Sequence, residues 1–225
     1  MPIIANKLAF YTDSIGNVPG DPSINLAANV CAKLVGVTYD AQQLGGQKMG
    51  YAYNGQFSDG SPNWLGGLTM PQHTELIQAD TIVLHLGGND PDSFIQGATT
   101  DMSQSPVAYL MALYGQTAAA SGRKIAIMQA PVVVEEDVNK DDYSPADIQA
   151  WKLRCTNLQV VREAVVAQIN SQYPGAAKLI YYRPPVVMDP GTTGDGMHPK
   201  PAKHLEIAHA IAASLGAWRG WSVLP

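Results

Sequence analysis

Short apolar segments alternate with segments of helical periodicity along the chain. Five apolar segments have the length and composition of β-strands: Leu8–Tyr11, Val37–Leu44, Thr81–Leu86, Lys124–Gln129 and Lys178–Tyr182. The third is apolar and rich in β-formers throughout, which predicts burial on both faces of a sheet. The helical segments between strands are long enough for parallel crossovers. The pattern therefore predicts a three-layer α/β/α sandwich around a five-stranded parallel sheet.

Capping signals mark the limits of the predicted helices. Asp21-Pro22 indicates the start of a first helix, which Gly36 closes. Ser144-Pro145-Ala146-Asp147 resembles a capping box ahead of a long helix. Between the second and third strands, residues 45–78 are rich in Gly, Asn, Ser, Tyr and Trp, and only Gln72–Ile77 has helical character. A loop of this length inside a compact domain is usually functional.

The long helix after Ser144 has one apolar face. The residues on that face are Ile148, Trp151, Cys155, Leu158, Val161, Val165 and Ile169. The second cysteine of the chain, Cys31, lies on the apolar face of the first helix. Both cysteines are interpreted as small buried residues, and a single disulfide between them is the alternative.

Composition is that of a globular protein. The chain has 225 residues, of which 46% are hydrophobic and 15% charged. This length favours one domain over residues 1–225. The net charge is −5 and basic residues are not clustered, which argues against a nucleic-acid partner.

The sequence carries no recognisable membrane or export signal. No apolar run reaches the roughly 18 residues that a membrane span needs. The first residues, Met1–Lys7, are too few and have the wrong charge order for a signal peptide. We expect a cytoplasmic protein by default, or a secreted or virion-associated one if a leader has been removed or the export route is different.

Polar and small residues follow the predicted strands, at the edge where a parallel sheet binds its ligands. Ser14 follows the first strand, Gly46 the second and Asn89 the third. Asp195 and His198 come after the fifth strand. A hydroxyl, a glycine amide, a carboxamide and an imidazole with a nearby carboxylate are therefore expected at one edge. That set is sufficient for acyl transfer.

The chemistry of these groups gives each a role. A serine hydroxyl such as Ser14 becomes a nucleophile when a base takes its proton, and His198 is the natural base because imidazole titrates near neutral pH. Asp195 accepts a hydrogen bond from the other ring nitrogen and fixes the tautomer. The backbone amides of Ser14 and Gly46 and the side chain of Asn89 are candidate oxyanion donors, each typically worth about 3–4 kcal/mol of barrier.

Four separated blocks of the sequence resemble those of the SGNH, or GDSL-like, hydrolases. The blocks are Asp13-Ser14-Ile15, Gly46, Gly87-x-Asn89-Asp90, and Asp195-x-x-His198 with Pro199. Their order agrees with that family over essentially the whole chain. The resemblance implies a flavodoxin-like sheet in the order 2-1-3-4-5 and hydrolysis of esters without a metal. It implies substrates that are often acetyl esters on carbohydrates and sometimes lipids or thioesters.

The chain departs from the family pattern at two positions. Thr12 stands where the family usually has glycine, so we expect the turn to change slightly or Thr12 to lean into the site. Gln42-Gln43 stands where the family often has asparagine, several residues before its glycine. The assignment of Gly46 rather than Gly45 follows from that loose alignment.

The aromatic residues of the second loop have two interpretations. Tyr51, Tyr53 and Trp64 either pack the loop internally or form a platform for a sugar or acyl group. Val132–Val134, after the fourth strand, is a candidate for the opposite wall. Tyr51, Trp64 and Val132 are therefore the candidate substrate-binding residues.

Other polar residues are interpreted as structural. Asp13 and Asp90 are expected to hold turns, and His85 to be a core histidine. The acidic stretch 135–137, followed by Asp141-Asp142, is interpreted as a solvated loop, with a metal site as the alternative. The histidines lack metal-ligand spacing, so we expect no metal and no other cofactor.

The sequence therefore predicts a serine hydrolase that cleaves carboxylic esters, in particular short-chain or acetyl esters, including esters on carbohydrate. The expected partner is a small-molecule or carbohydrate ester. A lipase or thioesterase of the same family is one alternative. A non-catalytic carbohydrate-binding module on the same fold is another, and a flavodoxin-like nucleotide or signalling domain is a third.

Overall fold

A computed structural model of the protein describes residues 2–14, 16, 25–43, 46–90, 105–183 and 186–225. The strands in these ranges are β1 (Ile4–Thr12), β2 (Thr38–Gln43), β3 (Ala79–His85), β4 (Lys124–Met128) and β5 (Ala177–Ile180). The helices are α1 (Leu26–Cys31), α2 (Met49–Asn54), α3 (Met70–Ile77), α4 (Pro106–Ala120), α5 (Pro145–Gln172) and α6 (Pro201–Arg219). A short 3₁₀ helix, Glu135–Asp137, lies between β4 and α5.

The five strands form one parallel sheet in the order β2-β1-β3-β4-β5. This topology confirms the predicted fold class and the strand order that the family resemblance implied. β3 is buried along all seven of its residues, as its continuous apolar sequence predicted. Because all strands run in the same direction, the segments that follow them meet at one edge of the sheet.

Apolar cores on both faces of the sheet complete the three layers. On one face, Phe10 of β1 belongs to a buried cluster with Leu26 of α1 and Ile211 of α6. On the other face, Tyr11 belongs to a cluster formed with α2, α3, α4 and α5. The alternation along β1 follows from the two-residue period of a strand. Within the described residues, no helix has the length and apolarity needed to cross a membrane.

The first helix is shorter than the sequence predicted. It begins after Asn25, whose side chain accepts a hydrogen bond from the first turn, and it ends at Cys31. The prediction that Gly36 closes it is wrong, because the residues after Cys31 pair with the C-terminal segment instead. Gly36 has a φ of 69° and lies in the turn that leads to β2. The predicted cap, Asp21, lies outside the described residues.

The prediction of a single short helix within residues 45–78 is also wrong, because α2 lies there in addition to α3. The N-terminus of α2 is capped from a distant turn. The Asp90 carboxylate accepts hydrogen bonds from the backbone N–H groups of Met49 and Gly50, at 2.7 and 3.4 Å. Asp90 therefore holds a helix start, and with it the segment after β2, against the turn after β3.

Candidate active site

Three side chains form a continuous chain of hydrogen bonds at the carboxyl edge of the sheet. Ser14 follows β1, and its Oγ is 2.7 Å from Nε2 of His198. The other ring nitrogen, Nδ1, is 2.6 Å from Oδ2 of Asp195. The structure therefore brings together the three side chains for which the sequence predicted the roles of nucleophile, base and orienting carboxylate, with Ser14 and His198 separated by 184 residues in the chain.

Asp195 also organises its own loop. Its Oδ1 accepts hydrogen bonds from the backbone N–H groups of Met197, at 3.0 Å, and His198, at 2.8 Å. One carboxylate oxygen thus holds the loop backbone while the other holds the imidazole. With Nδ1 donating to Asp195, Nε2 of His198 faces the Ser14 hydroxyl as an acceptor.

Asp195 and His198 each stabilise the ionised form of the other. The hydrogen bond with Asp195 has the largest effect on His198 and raises the pKa of its imidazole above the ordinary 6.5, against the opposing effect of burial. Burial alone would raise the pKa of Asp195. The hydrogen bonds from the His198 ring and from the two backbone N–H groups outweigh that effect and hold the pKa of this carboxyl well below its usual range.

The turn after β3 places Asn89 on the wall of a cavity that Ser14 and His198 also line. The Asn89 Nδ2 donates a hydrogen bond to the carbonyl of Gln47 at 3.2 Å. Gly46, the residue before Gln47, has a left-handed φ of 74°. Gly46 is not among the described residues that line the cavity, so its place in an oxyanion hole stays a prediction.

A cavity of about 100 Å³ opens beside Ser14 and His198. Its other walls come from the strand ends, the segment after β4, α5 and the loop that carries His198, through Asp13, Gly88, Pro131, Trp151, Arg154, Cys155, Leu158 and Met197. The sequence pattern placed Trp151, Cys155 and Leu158 on one face of α5 without indicating a cavity. Periodicity shows which residues share a helix face, but not where along the helix that face leaves the core.

The candidate substrate-binding aromatics pack against their own loop. The ring of Tyr51 meets that of Phe57 edge-on, with centroids 5.4 Å apart, and Phe57 lies 6.4 Å from Trp64. Tyr51 and Trp64 are outside the set of described residues that line the cavity. Val132 lines a neighbouring groove that shares Pro131 with the cavity. The substrate-binding roles of these three residues stay predictions.

The strand end beneath Ser14 is tightly packed. Thr12 is fully buried, and a Cβ added to Gly16 would lie only 1.8 Å from its Oγ1. Thr12 therefore fills space inside the turn. The Asp13 Oδ1 is 3.1 Å from Nδ1 of His85, which is a buried core histidine as predicted. Asp13 thus contacts the end of β3 in addition to its own turn.

Three other expectations can be compared with the structure. The acidic stretch 135–137 is half-buried or exposed, and Asp137 accepts hydrogen bonds from the backbone and the hydroxyl of Thr193, a contact that the interpretation as a solvated loop did not include. Cys31 and Cys155 are both free, so the disulfide alternative is wrong. Across the described ranges, no group of three or more His, Cys, Asp or Glu side chains is arranged to hold a metal ion.

The chain is similar to known proteins in structure, although not detectably in sequence. No protein-family model matches the chain, and neither does any curated protein sequence. Solved structures do match. A GDSL-like lipase from Bacteroides thetaiotaomicron is similar with a TM-score of 0.60 and 15% identity, over 96% of this chain and 88% of that one.

Two further solved structures extend the comparison. An alpha/beta hydrolase from the metagenome of Lake Arreo, Spain, has a TM-score of 0.59 and 16% identity, over 96% of this chain and 97% of that one. The psychrotrophic esterase EstA from Pseudoalteromonas sp. has a TM-score of 0.52 and 14% identity, over 96% and 99% of the two chains. The chain therefore has the fold of the GDSL-like, or SGNH, hydrolases that its sequence blocks resemble.

Proposed function

We propose that the protein hydrolyses carboxylic esters, with Ser14 as nucleophile, His198 as general base and Asp195 as the orienting carboxylate. The observation that carries this proposal is the unbroken chain of hydrogen bonds from Ser14 Oγ through the imidazole to Asp195, at 2.7 and 2.6 Å, on the wall of a cavity. Two of the solved structures of similar fold are a lipase and an esterase, which supports the same chemistry.

In the proposed reaction, Ser14 Oγ attacks the ester carbonyl while its proton passes to Nε2 of His198. Asp195 stabilises the imidazolium, which then gives that proton to the departing alcohol. A water molecule, deprotonated by His198, attacks the acyl-serine; the imidazolium returns that proton to Ser14 Oγ as its bond to the acyl carbon breaks and the acid is released. The low pKa of Asp195 keeps its carboxylate charged throughout this sequence of steps.

The oxyanion of the tetrahedral intermediate needs hydrogen-bond donors, and the Asn89 amide lines the cavity beside Ser14 and His198. This amide carries two N–H bonds, one of which donates to the Gln47 carbonyl and fixes the amide plane. We assign the other N–H to the oxyanion, together with the backbone amides of Ser14 and Gly46. Loss of one such donor typically costs about 10²–10³-fold in kcat.

The small cavity favours a short acyl group. A volume of about 100 Å³, lined by Trp151, Leu158 and Met197 among others, suits an acetyl group or another short chain. Acetyl esters, including those on carbohydrate, are therefore the favoured substrates. A lipase or thioesterase would instead prefer long acyl chains.

Covalent labelling tests the nucleophile. We expect a fluorophosphonate probe to phosphonylate the wild-type protein and not Ser14→Ala. Hydrolysis of p-nitrophenyl acetate should fall by at least about 10³-fold in Ser14→Ala. Ser171→Ala, which removes an exposed hydroxyl at the far end of α5, is the matched control and should behave as wild type. Equal turnover in Ser14→Ala and wild type would contradict the proposal and favour a non-catalytic module.

A second measurement tests the substrate class. p-Nitrophenyl esters from acetate to palmitate should give the highest kcat/KM at the short end, and acetylated sugars should release acetate. A maximum at long chains would favour the lipase, and faster turnover of acyl thioesters than of the matching oxygen esters would favour the thioesterase.

A further inference from the structure

The acidic stretch after β4 crosses the loop that carries the triad's histidine. Asp195 and His198 belong to residues 189–200, a segment between β5 and α6 without helix or strand. Inside it, an isolated bridge pairs Thr193 with Pro199 and gives the loop internal backbone hydrogen bonds. The position of the loop relative to Ser14 then depends on its side chains and on its contacts with neighbouring segments.

Asp137 provides several of these contacts. Its Oδ2 accepts a hydrogen bond from the backbone N–H of Thr193 at 2.8 Å and another from the Thr193 hydroxyl at 2.6 Å. Its Oδ1 accepts from the backbone N–H of Gly191. One carboxylate thus binds three donors of the histidine loop. The pKa of Asp137 is lowered, chiefly by the Thr193 hydroxyl, so it is ionised at neutral pH.

The Thr193 hydroxyl links Asp137 to Gly196, the residue after Asp195. Thr193 is buried, and while its hydroxyl donates to Asp137 its oxygen accepts from the backbone N–H of Gly196 at 3.0 Å. The carbonyl of Gly196 accepts in turn from the backbone N–H of Val134, at 2.7 Å. Gly196 is the residue directly after Asp195, so it is fixed from both sides.

Gly196 also packs closely against Val134 and Val138. Gly196 has a φ of 92°, and a Cβ added there would lie 2.2 Å from Cγ2 of Val138 and 3.2 Å from the Val134 carbonyl oxygen. Only glycine fits that space in that conformation. The backbone next to Asp195 therefore packs directly against the segment 134–138.

We propose that Asp137 is a positioning residue for the triad: by binding Gly191 and Thr193, and Gly196 through the Thr193 hydroxyl, it holds Asp195 and His198 towards Ser14. Asp137 does not touch the reacting atoms. The inference depends on the proposed function of the triad, and it assigns a role to an acidic stretch that the sequence alone indicated as solvated.

Asp137→Asn tests this role, because the amide offers one acceptor oxygen and turns an NH₂ group towards a backbone N–H. We expect kcat for p-nitrophenyl acetate to fall by about 10-fold or more, with KM within about twofold of wild type, since the cavity is unchanged. Fluorophosphonate labelling should slow in parallel. Glu136→Gln removes the same charge from the exposed neighbouring residue and should behave as wild type.

The pKa of His198 distinguishes positioning from a general loss of stability. We expect an NMR titration of ¹⁵N-histidine-labelled Asp137→Asn to give a His198 pKa lower than wild type by about 0.3 unit or more, because a looser contact with Asp195 favours the imidazolium less. The acid limb of the pH–kcat/KM profile should move by the same amount. A variant that is only less stable, but folded, would change neither.

Thr193→Val supplies a second variant in case Asp137→Asn does not fold. It keeps the side-chain shape and the backbone N–H bond to Asp137, but removes the hydroxyl that donates to Asp137 and accepts from Gly196. We expect kcat to fall by less than in Asp137→Asn, and the pKa of His198 to shift downward. Thr193→Ser restores the hydroxyl and should rescue both.

The outcomes separate this inference from the proposed function. Folded Asp137→Asn and Thr193→Val with the wild-type kcat and His198 pKa would overturn it, and so would a fall in kcat that only follows the folded fraction while the His198 pKa stays unchanged. If the wild type neither hydrolyses esters nor reacts with the probe, the proposed function fails. In that case the NMR comparison still decides whether Asp137 positions His198.

Discussion

At the residue scale, the site depends on an imidazole that is hydrogen bonded on both sides, to Ser14 and to Asp195. The contact with Asp195 raises the pKa of His198 above the ordinary 6.5. In the proposed reaction His198 accepts the serine proton only in its neutral form, and it becomes protonated as the pH falls through this raised pKa. We therefore expect the acid limb of the pH–kcat/KM profile to lie above pH 6.5.

The variant Asp195→Asn checks that assignment. Removing the carboxylate removes the main cause of the raised pKa, so the acid limb should move to lower pH. The rate plateau should fall by about 10²–10⁴-fold, because the asparagine amide favours the wrong tautomer. Asp189→Asn, which changes an exposed carboxylate at the start of the same loop, serves as the control. An acid limb that stays in place in Asp195→Asn would mean that another group sets it.

Thr12 and Gly16 form a second residue-scale unit that can be tested. The Thr12 side chain occupies the space that a Cβ at residue 16 would need, with a separation of only 1.8 Å. We expect Gly16→Ala to lower the free energy of unfolding by roughly 1–3 kcal/mol, as overpacking does, and to slow fluorophosphonate labelling because the turn that carries Ser14 shifts.

A double variant supplies the control. Thr12→Gly removes the obstructing hydroxyl and methyl groups, so Gly16→Ala should cost much less in that background. Urea denaturation of the four proteins gives the coupling energy. Additive effects of Thr12→Gly and Gly16→Ala would contradict the packing explanation of why this chain has threonine where the family resemblance leads one to expect glycine.

At the element scale, α5 is attached to the sheet by a buried cation. Arg162 is fully buried and donates hydrogen bonds to the carbonyls of Leu86, Met128 and Gln129 at 2.8 to 2.9 Å, which are the ends of β3 and β4. Burial lowers the pKa of its guanidinium to about 10, so it remains charged at neutral pH. Arg162 therefore connects the helix that lines the cavity to the strand ends that carry the site.

Arg162→Met should remove these bonds and leave the three carbonyls without this donor. We expect the free energy of unfolding to fall by roughly 3–5 kcal/mol, measured by urea denaturation. Gln168→Met introduces the same side chain at an exposed position of α5 and should change stability by less than about 0.5 kcal/mol. A loss of under 1 kcal/mol in Arg162→Met would show that water satisfies those carbonyls.

Local signals in the sequence were enough to predict the start of α5 but not the presence of α2. The Ser144 capping box of α5 was predictable because both partners, Ser144 and Asp147, lie within one turn, and the structure confirms it. α2 was not predictable because its cap, Asp90, is about forty residues away in sequence. The role of Arg162 was equally hidden, since a long charged residue on a helix is usually exposed.

At the scale of the whole molecule, the parallel sheet explains which part of the site the sequence predicted. Ser14, Asn89, Asp195 and His198 were expected together because parallel strands end at one edge, and these residues do meet there. The cavity walls and the contact of Asp137 with the histidine loop were not predicted. They arise where separate segments cross, and neither periodicity nor motif spacing records such a crossing.

A buried polar network connects β1, α3 and α4 on the face of the sheet that includes Tyr11. The Tyr11 hydroxyl is 2.9 Å from Nδ1 of His73 and 2.8 Å from Oγ1 of Thr74, which lies 2.7 Å from the Tyr114 hydroxyl. Thr74 donates its proton to the Met70 carbonyl, so both tyrosines donate to Thr74. Tyr11 then accepts from His73, which holds its proton on Nδ1.

This network makes the stability of the whole molecule depend on pH through His73. Burial lowers the pKa of His73 in the folded protein, whereas the unfolded chain takes up a proton near the ordinary 6.5. Below pH 6.5 the unfolded state therefore binds more protons, and stability falls as the pH decreases towards the folded pKa.

His73→Gln keeps a donor for Tyr11 but does not titrate. We expect urea denaturation between pH 8 and about pH 5 to show a smaller loss of stability in His73→Gln than in wild type. His209→Gln, at an exposed position of α6, should follow the wild-type curve, and parallel curves for His73→Gln and wild type would contradict the prediction.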